Sequence, residues 1–221
     1  AITNDSGTAG DFITNDQTLI FNGTAGAGDV VTVKLDGVTL GTATANCAGV
    51  WSYDYTGTTI ANGSYSLTAS TTDIAGNTAT ATQAITIDTN APGQNGDGTA
   101  PAITAITNDS GTAGDFITND QTLIFNGTAG AGDVVTVKLD GVTLGTATAN
   151  GAGVWSYDYT GTTIANGTYT LAASTTDIAG NTATASQAIT IDTNAPGQNG
   201  DGTAPAITAI TNDSGTAGDF I

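Results

Sequence analysis

The run Val31-Thr32-Val33-Lys34-Leu35-Asp36-Gly37-Val38-Thr39-Leu40 decides the fold class. Val31, Val33 and Leu35 alternate with Thr32 and Lys34, the period of a strand with one buried face. Asp36-Gly37 is the dipeptide that a two-residue hairpin turn with positive φ favours. Outward from this hairpin the reading repeats. Leu19 and Phe21 alternate with Thr18, Ile20 and Asn22, and Asn46-Cys47-Ala48-Gly49 turns into a strand that sets Trp51, Tyr53 and Tyr55 on one face. Ala61-Asn62-Gly63 leads into a strand with Tyr65, Leu67 and Ala69 inward. Ala75-Gly76-Asn77 turns into a last strand whose inward set is Ala81, Ile85 and Ile87. No helical period survives anywhere. With a strand from Ile103 to Thr107 opening each unit, the sequence predicts an all-β chain of about seven strands per unit, divided by turns as in a β-sandwich.

The units are copies. Ala1-Ile2-Thr3-Asn4-Asp5-Ser6 recurs from Ala105 to Ser110 and from Ala209 to Ser214, a period of 104 residues in a chain of 221. Residues 1–117 and 105–221 differ at five positions: Cys47/Gly151, Ser64/Thr168, Ser66/Thr170, Thr68/Ala172 and Thr82/Ser186. The expected division is a first repeat over 1–96 that lacks the start of its first strand, a second over 97–200, and the beginning of a third over 201–221. Near-identical copies leave no position at which one could specialise. Such copying suits a spacer whose useful property is length.

Composition narrows the function. All 20 acidic residues are Asp, and the only cations, Lys34 and Lys138, leave a net charge of −18. Nothing here neutralises phosphates, so nucleic-acid binding is excluded, and an anionic membrane surface is disfavoured for the same reason. No apolar run reaches the length of a membrane span. A hydrophobic content of 38% with regular alternation is still enough to build cores. Cys47 has no intrachain partner, and Gly151 replaces it in the second copy. Each 104-residue unit carries nine aspartates and one lysine, and self-repulsion at that density opposes a compact state. Divalent cations would cancel it.

The aspartates cluster where the copies meet. The connector from Ile87-Asp88-Thr89-Asn90-Ala91-Pro92 onward is glycine-rich and acidic, and its oxygens suit a hard cation. On an up-and-down-like trace, the loop holding Asp5, Asp11 and Asp16 lies at the same end as the chain exit at Asp88. The facing end of the next unit presents Asp133 and the turn with Asp177 and Asn181. The joint is expected to gather Asp5, Asp11, Asp16 and Asp88 from one unit, Asp97 from the connector and Asp177 from the next. By repetition the candidate ligands extend to Asp73, Asp109, Asp115, Asp120, Asp192 and Asp201, with Ca2+ as the ion. Asp36, Asp54, Asp140 and Asp158 read instead as turn residues that bond local backbone.

The ordered set Asn108-Asp109-Ser110-Gly111, Asp115-Phe116-Ile117-Thr118-Asn119-Asp120, Gly127-Thr128-Ala129, Val154-Trp155-Ser156, Asp177-Ile178-Ala179-Gly180-Asn181 and Asp192-Thr193-Asn194-Ala195-Pro196 resembles the bacterial immunoglobulin-like repeats of giant RTX adhesins. It spans both copies. The near-identical 104-residue period is most similar to the extender region of an ice-binding RTX adhesin of a cold-water marine bacterium. The resemblance implies tandem immunoglobulin-like β-sandwiches joined by calcium-binding linkers, secretion to the bacterial cell surface, and a stalk role. The nonapeptide of the RTX β-roll is absent from the sequence.

An enzyme finds little purchase: there is no His, no activated nucleophile and no phosphate-cradling loop. The expected function is an extender stiffened by calcium, monomeric, with neighbouring repeats of its own chain as partners and no small-molecule substrate. The alternative is a module that binds ice or carbohydrate directly through the threonine run Thr78, Thr80 and Thr82.

Overall fold

The computed structural model describes residues 1–208. Residues 209–221, with Asp213, Asp219 and most of the expected third repeat, lie outside the described residues. Every element is a strand. In the first copy these are β1 (Ile13–Thr14), β2 (Ile20–Thr24), β3 (Val30–Leu35), β4 (Val38–Thr44), β5 (Val50–Asp54), β6 (Gly63–Thr72) and β7 (Thr78–Ile87). The second copy opens with β8 (Ala102–Ile106). It continues through β9 (Ile117–Thr118), β10 (Ile124–Thr128), β11 (Val134–Leu139), β12 (Val142–Thr148), β13 (Val154–Asp158), β14 (Gly167–Thr176) and β15 (Thr182–Ile191).

Each copy packs two sheets face to face. In the second copy a five-stranded sheet in the order β12-β11-β14-β15-β9 covers a three-stranded sheet in the order β13-β10-β8. The first copy repeats this as β1-β7-β6-β3-β4 over β2-β5. The hairpin that decided the class behaves as its sequence demands: Asp36 and Gly37 adopt φ of 47° and 80° between β3 and β4. At the Asn46 turn the Asn46 side-chain oxygen accepts from the Ala48 and Val50 amides at 2.9 and 3.0 Å.

Two details depart from the sequence reading. The trace is not up-and-down, because β1 pairs parallel with β7 and β3 lies beside β6. The complete copy also has eight strands. The extra one, Ile117–Thr118, is two residues long and carries no periodic signal.

Alternating residues of both sheets fill one core per copy. Leu123, Phe125, Val135, Val137, Trp155, Leu171, Ile189 and Ile191 are buried in the second, and their counterparts Leu19 to Ile87 in the first. Both tryptophans are core residues. Ala81, expected inward, is exposed, whereas its counterpart Ala185 is half-buried. Thr78, Thr80 and Thr82 stand on the solvent side, and a hydroxyl at its end is already bonded across the sheet, Thr72 to Thr78 at 3.1 Å.

Candidate metal centre at the joint

Because the copies are nearly identical, each residue at the joint has a counterpart at an outer end of the pair. Asp177, Asn181 and Gly180 are half-buried and Ala179 is buried, whereas Asp73, Asn77, Gly76 and Ala75 are all exposed. On the other side Pro92, Asp11, Ile13 and Asn15 lose exposure that Pro196, Asp115, Ile117 and Asn119 keep. The Ile178-Ala179-Gly180 turn of the second copy is what covers them. Thr8 donates its amide to the Ile178 carbonyl at 3.4 Å, Ser6 its hydroxyl to the Ala179 carbonyl at 2.5 Å, and Asn181 its side-chain amide to the Asp88 carbonyl at 2.8 Å.

Three segments deliver the acidic groups. The parallel pairing of β1 with β7 fixes Asp88, whose amide donates to the Thr14 carbonyl at 2.9 Å. Asp97 closes a tight turn in the connector, in which the Asp97 amide donates to the Gln94 carbonyl at 2.8 Å and the Gly93 amide to the Asp97 carbonyl. Asn95 and Gly96 supply the positive φ, 47° and 88°. Asp177 caps the β14–β15 turn, accepting from the Asn181 amide at 2.8 Å. One oxygen from each of Asp88, Asp97 and Asp177 lies within 4.8 Å of the others. Oxygens bound to one calcium at about 2.3–2.6 Å can be no farther apart than roughly 5 Å, so the spacing fits a single ion.

The electrostatics fit too. Asp97 Oδ2 is buried and has no hydrogen-bond partner. Its approach to Asp177 is carboxylate against carboxylate, which only a proton or a cation between them relieves. Burial first, then the charges of Asp88, Asp177 and Asp133, push the Asp97 carboxyl above the ordinary carboxylate range. In metal-free protein the closed joint therefore binds a proton more readily than the separated segments do. Closure is favoured below the raised value and lost as pH rises through it. Carboxyl-carbon shifts followed in chelator are expected to show Asp97 titrating above the usual carboxylate value; titration at or below it would remove the assigned crowding.

The other candidate residues are placed differently. Asp11 accepts from the Ile13 amide at 2.9 Å, and Asp115 does the same with Ile117. For Asp16, burial acts to raise the carboxyl, but hydrogen bonds from Asn4 and Thr18 together outweigh it and hold it low. Bonds from Asn108 and Thr122 hold Asp120 low as well. Asp5 accepts from the Gly10 amide through Oδ2, while its Oδ1 is buried without a partner. Asp109 repeats both features at the outer end of the second copy. The orphaned oxygen is thus a property of the loop and not of the joint. Asp73 is exposed at the outer end of the first copy, and Asp192 and Asp201 repeat Asp88 and Asp97 at the outer end of the second. Asp133, placed at the facing end by the sequence but not among the expected ligands, walls the same hollow of about 590 Å³ as Asp88, Asp97 and Asp177. Its counterpart Asp29 lies beside Asp73 in the same way. Only the folded turn reveals that neighbourhood.

Two mostly antiparallel sandwiches thus stand in tandem, with three carboxylates brought together where they meet. The profile described as Bacterial Ig-like domain matches residues 1–89 and 98–193, and the chain belongs to that family. No curated protein sequence matches it. Among solved structures it is similar to a Ca2+-stabilized adhesin that helps an Antarctic bacterium reach out and bind ice, with 28% identity and a TM-score of 0.46 over 84% of this chain and 47% of that one. It is also similar to a 1.5-MDa bacterial ice-binding adhesin, with 25% identity and a TM-score of 0.45 over 86% of this chain and 62% of that one. The chain thus spans less than two thirds of either solved chain. Among the described residues no helix is long and apolar enough to cross a membrane.

Proposed function

We propose that this chain is a spacer segment of a bacterial cell-surface adhesin, stiffened by calcium at the joints between its repeats, which holds a binding domain away from the cell. The observation that carries the reading is the meeting of Asp88, Asp97 and Asp177 from one module, the connector and the next module, with their oxygens within 4.8 Å. A cation there ties three segments whose relative placement sets the angle between sandwiches. Asp88, Asp97 and Asp177 would hold the ion, with carbonyls of the glycine-rich turns completing a set of six to eight oxygens. Asp5 and Asp109, each with an unpartnered Oδ1, would hold further ions inside their own loops.

Repetition supports the same reading. A site assembled from both ends of one repeating unit recurs at every joint of an array, and Asp192 with Asp201 already presents its first half again. In this reading the boundary between the repeats 1–96 and 97–200 falls within the connector, at Asp97. The test is a calcium titration with thermal melting and small-angle scattering on one sample. Extracellular modules bind calcium at about 10⁻⁴–10⁻³ M. Calcium in that range is expected to raise the melting temperature and narrow the pair from a broad set of interdomain angles to one extended rod. No change in either would leave the aspartates a solvated surface and end the spacer reading.

A further inference from the structure

An asparagine precedes a glycine seven times in this chain. In that dipeptide the next backbone nitrogen can attack the side-chain carboxamide carbon, because glycine sets no Cβ in the way. The fold restrains most of these pairs. Asn22 and Asn126 lie inside β2 and β10, opposite Ser52 and Ser156. The side-chain oxygens of Asn62 and Asn166 accept from the Thr89 and Thr193 hydroxyls at 2.8 Å. That of Asn150 accepts from the Ala152 and Val154 amides at 2.9 and 3.1 Å. Asn95-Gly96 in the connector, with its repeat Asn199-Gly200, has neither restraint. Asn95 and Gly96 are both exposed, and the Asn95 side chain is held only where its Nδ2 donates to Asn90 Oδ1 at 2.8 Å. Among the described residues no group donates to its oxygen or accepts from the Gly96 amide.

The turn itself decides when this pair can react. Gln94 to Asp97 form a type I′ turn: Asn95 and Gly96 hold φ of 47° and 88°, and the Asp97 amide donates to the Gln94 carbonyl at 2.8 Å. At the ψ of about +30° that this turn imposes on its first central residue, the Gly96 nitrogen lies anti to the Asn95 Cβ. A five-membered ring needs those two atoms eclipsed. The closed turn is therefore inert, and reaction waits on rotation about the Asn95 Cα–C bond, which breaks the turn. Asp97 is what ties the turn to the joint. One of its oxygens lies within 4.8 Å of oxygens of Asp88 and Asp177, and its Oδ2 is buried without a partner. A cation there draws Asp97 in, and without one the repulsion between carboxylates pushes the turn outward.

We propose that Asn95-Gly96 is a self-modification site of the joint, opened to reaction when the joint loses its cation. The Gly96 nitrogen bonds to the Asn95 Cγ, the Cγ–Nδ2 bond breaks, and ammonia leaves carrying the Gly96 amide proton. Water then opens the succinimide at either carbonyl, giving aspartate or isoaspartate. Isoaspartate runs the main chain through Cβ and Cγ, one atom longer, and a two-residue turn has no slack to absorb it. Either product also loses the Nδ2 bond to Asn90. Asp97 then no longer returns to Asp88 and Asp177, so a joint once left without its ion stays open. The cyclisation stands on the turn geometry, and its control by calcium rests on the calcium joint proposed above.

The test holds the full 221-residue chain in mildly alkaline buffer at physiological temperature, in calcium and in chelator, and follows each asparagine by mass spectrometry. Cleavage at Lys34 and Lys138 places Asn95 and Asn199 on different fragments, which their identical surroundings otherwise make indistinguishable. Asn95 is expected to convert in chelator while Asn126 does not. In calcium at about ten times its Kd, the open population and with it the rate should fall about tenfold. Calorimetry after calcium is restored should show the joint's ion lost in proportion to isoaspartate at position 95. An Asn95→Gly chain, whose glycine accepts the positive φ, should age without that loss. Asn95 intact in chelator, or an Asn95→Gly chain that loses its ion as fast as the parent, would overturn the proposal. So would equal rates in the two solutions, and calorimetry on fresh protein separates the causes: calcium bound leaves the joint reading standing, whereas no binding removes it as well.

Discussion

Asp177→Ala is expected to remove one calcium per chain from a calorimetric titration, or to weaken that site at least about tenfold, while Asp73→Ala leaves the joint's calcium unchanged. The pair is informative because the two residues do the same local work. Asp73 accepts from the Asn77 amide and side chain at 2.8 and 2.9 Å, and Asp177 from Asn181 at 2.8 and 3.0 Å. Either substitution therefore loosens one hairpin turn to a similar degree. Only Asp177 also faces Asp88 and Asp97. Scattering in calcium should show the Asp177→Ala pair hinged and the Asp73→Ala pair as extended as the parent. Equal behaviour of the two variants would mean that the trio is not a site.

The second large effect is steric and needs no metal. A Cβ built on Gly7 would lie 1.8 Å from the Ile178 carbonyl oxygen, whereas one on Gly111, its counterpart, meets nothing within 4 Å. Both glycines hold positive φ, 70° and 78°, so alanine costs each about 1–2 kcal/mol in backbone strain. Gly111→Ala is expected to lower the melting point of its module and do nothing else. Gly7→Ala should add separation of the two sandwiches, because backbone on the facing turn must move away. The Ser6 and Thr8 bonds to that turn go with it. Paramagnetic or dipolar measurement of the interdomain angle checks this, and an unchanged angle in Gly7→Ala would show that the Gly7 contact does not set the joint.

Much of this was legible in the sequence, because strands and hairpin turns announce themselves locally. The alternation from Val31 to Leu35 and the positive-φ pair Asp36-Gly37 are written in adjacent residues, and the repeat made Asp88, Asp97 and Asp177 meet on any trace that alternates ends. What stayed hidden depends on contacts with no local period. β1 and β9 are two residues each, recognisable only once they lie beside β7 and β15. Oδ1 of Asp11 and Oδ1 of Asp16 each accept from the amide two residues onward, a bond set by turn geometry and invisible in spacing. Ala81 is inward by pattern and exposed in fact, because the strand that would cover it is not among the residues of the first copy.

The placement of β8 and β15 has a mechanical consequence. The chain enters the second sandwich at Ala102 and leaves it at Ile191, and these two strands belong to opposite sheets. A pull on the two ends is transmitted through the interlocked side chains between the sheets and is not borne by a single hairpin. The antiparallel ladders that anchor the loaded strands, β8 to β10 and β15 to β14, have hydrogen bonds perpendicular to the strands, so a pull along the strands loads those bonds in shear. Tension that would peel open a terminal hairpin bond by bond must here break a whole ladder at once.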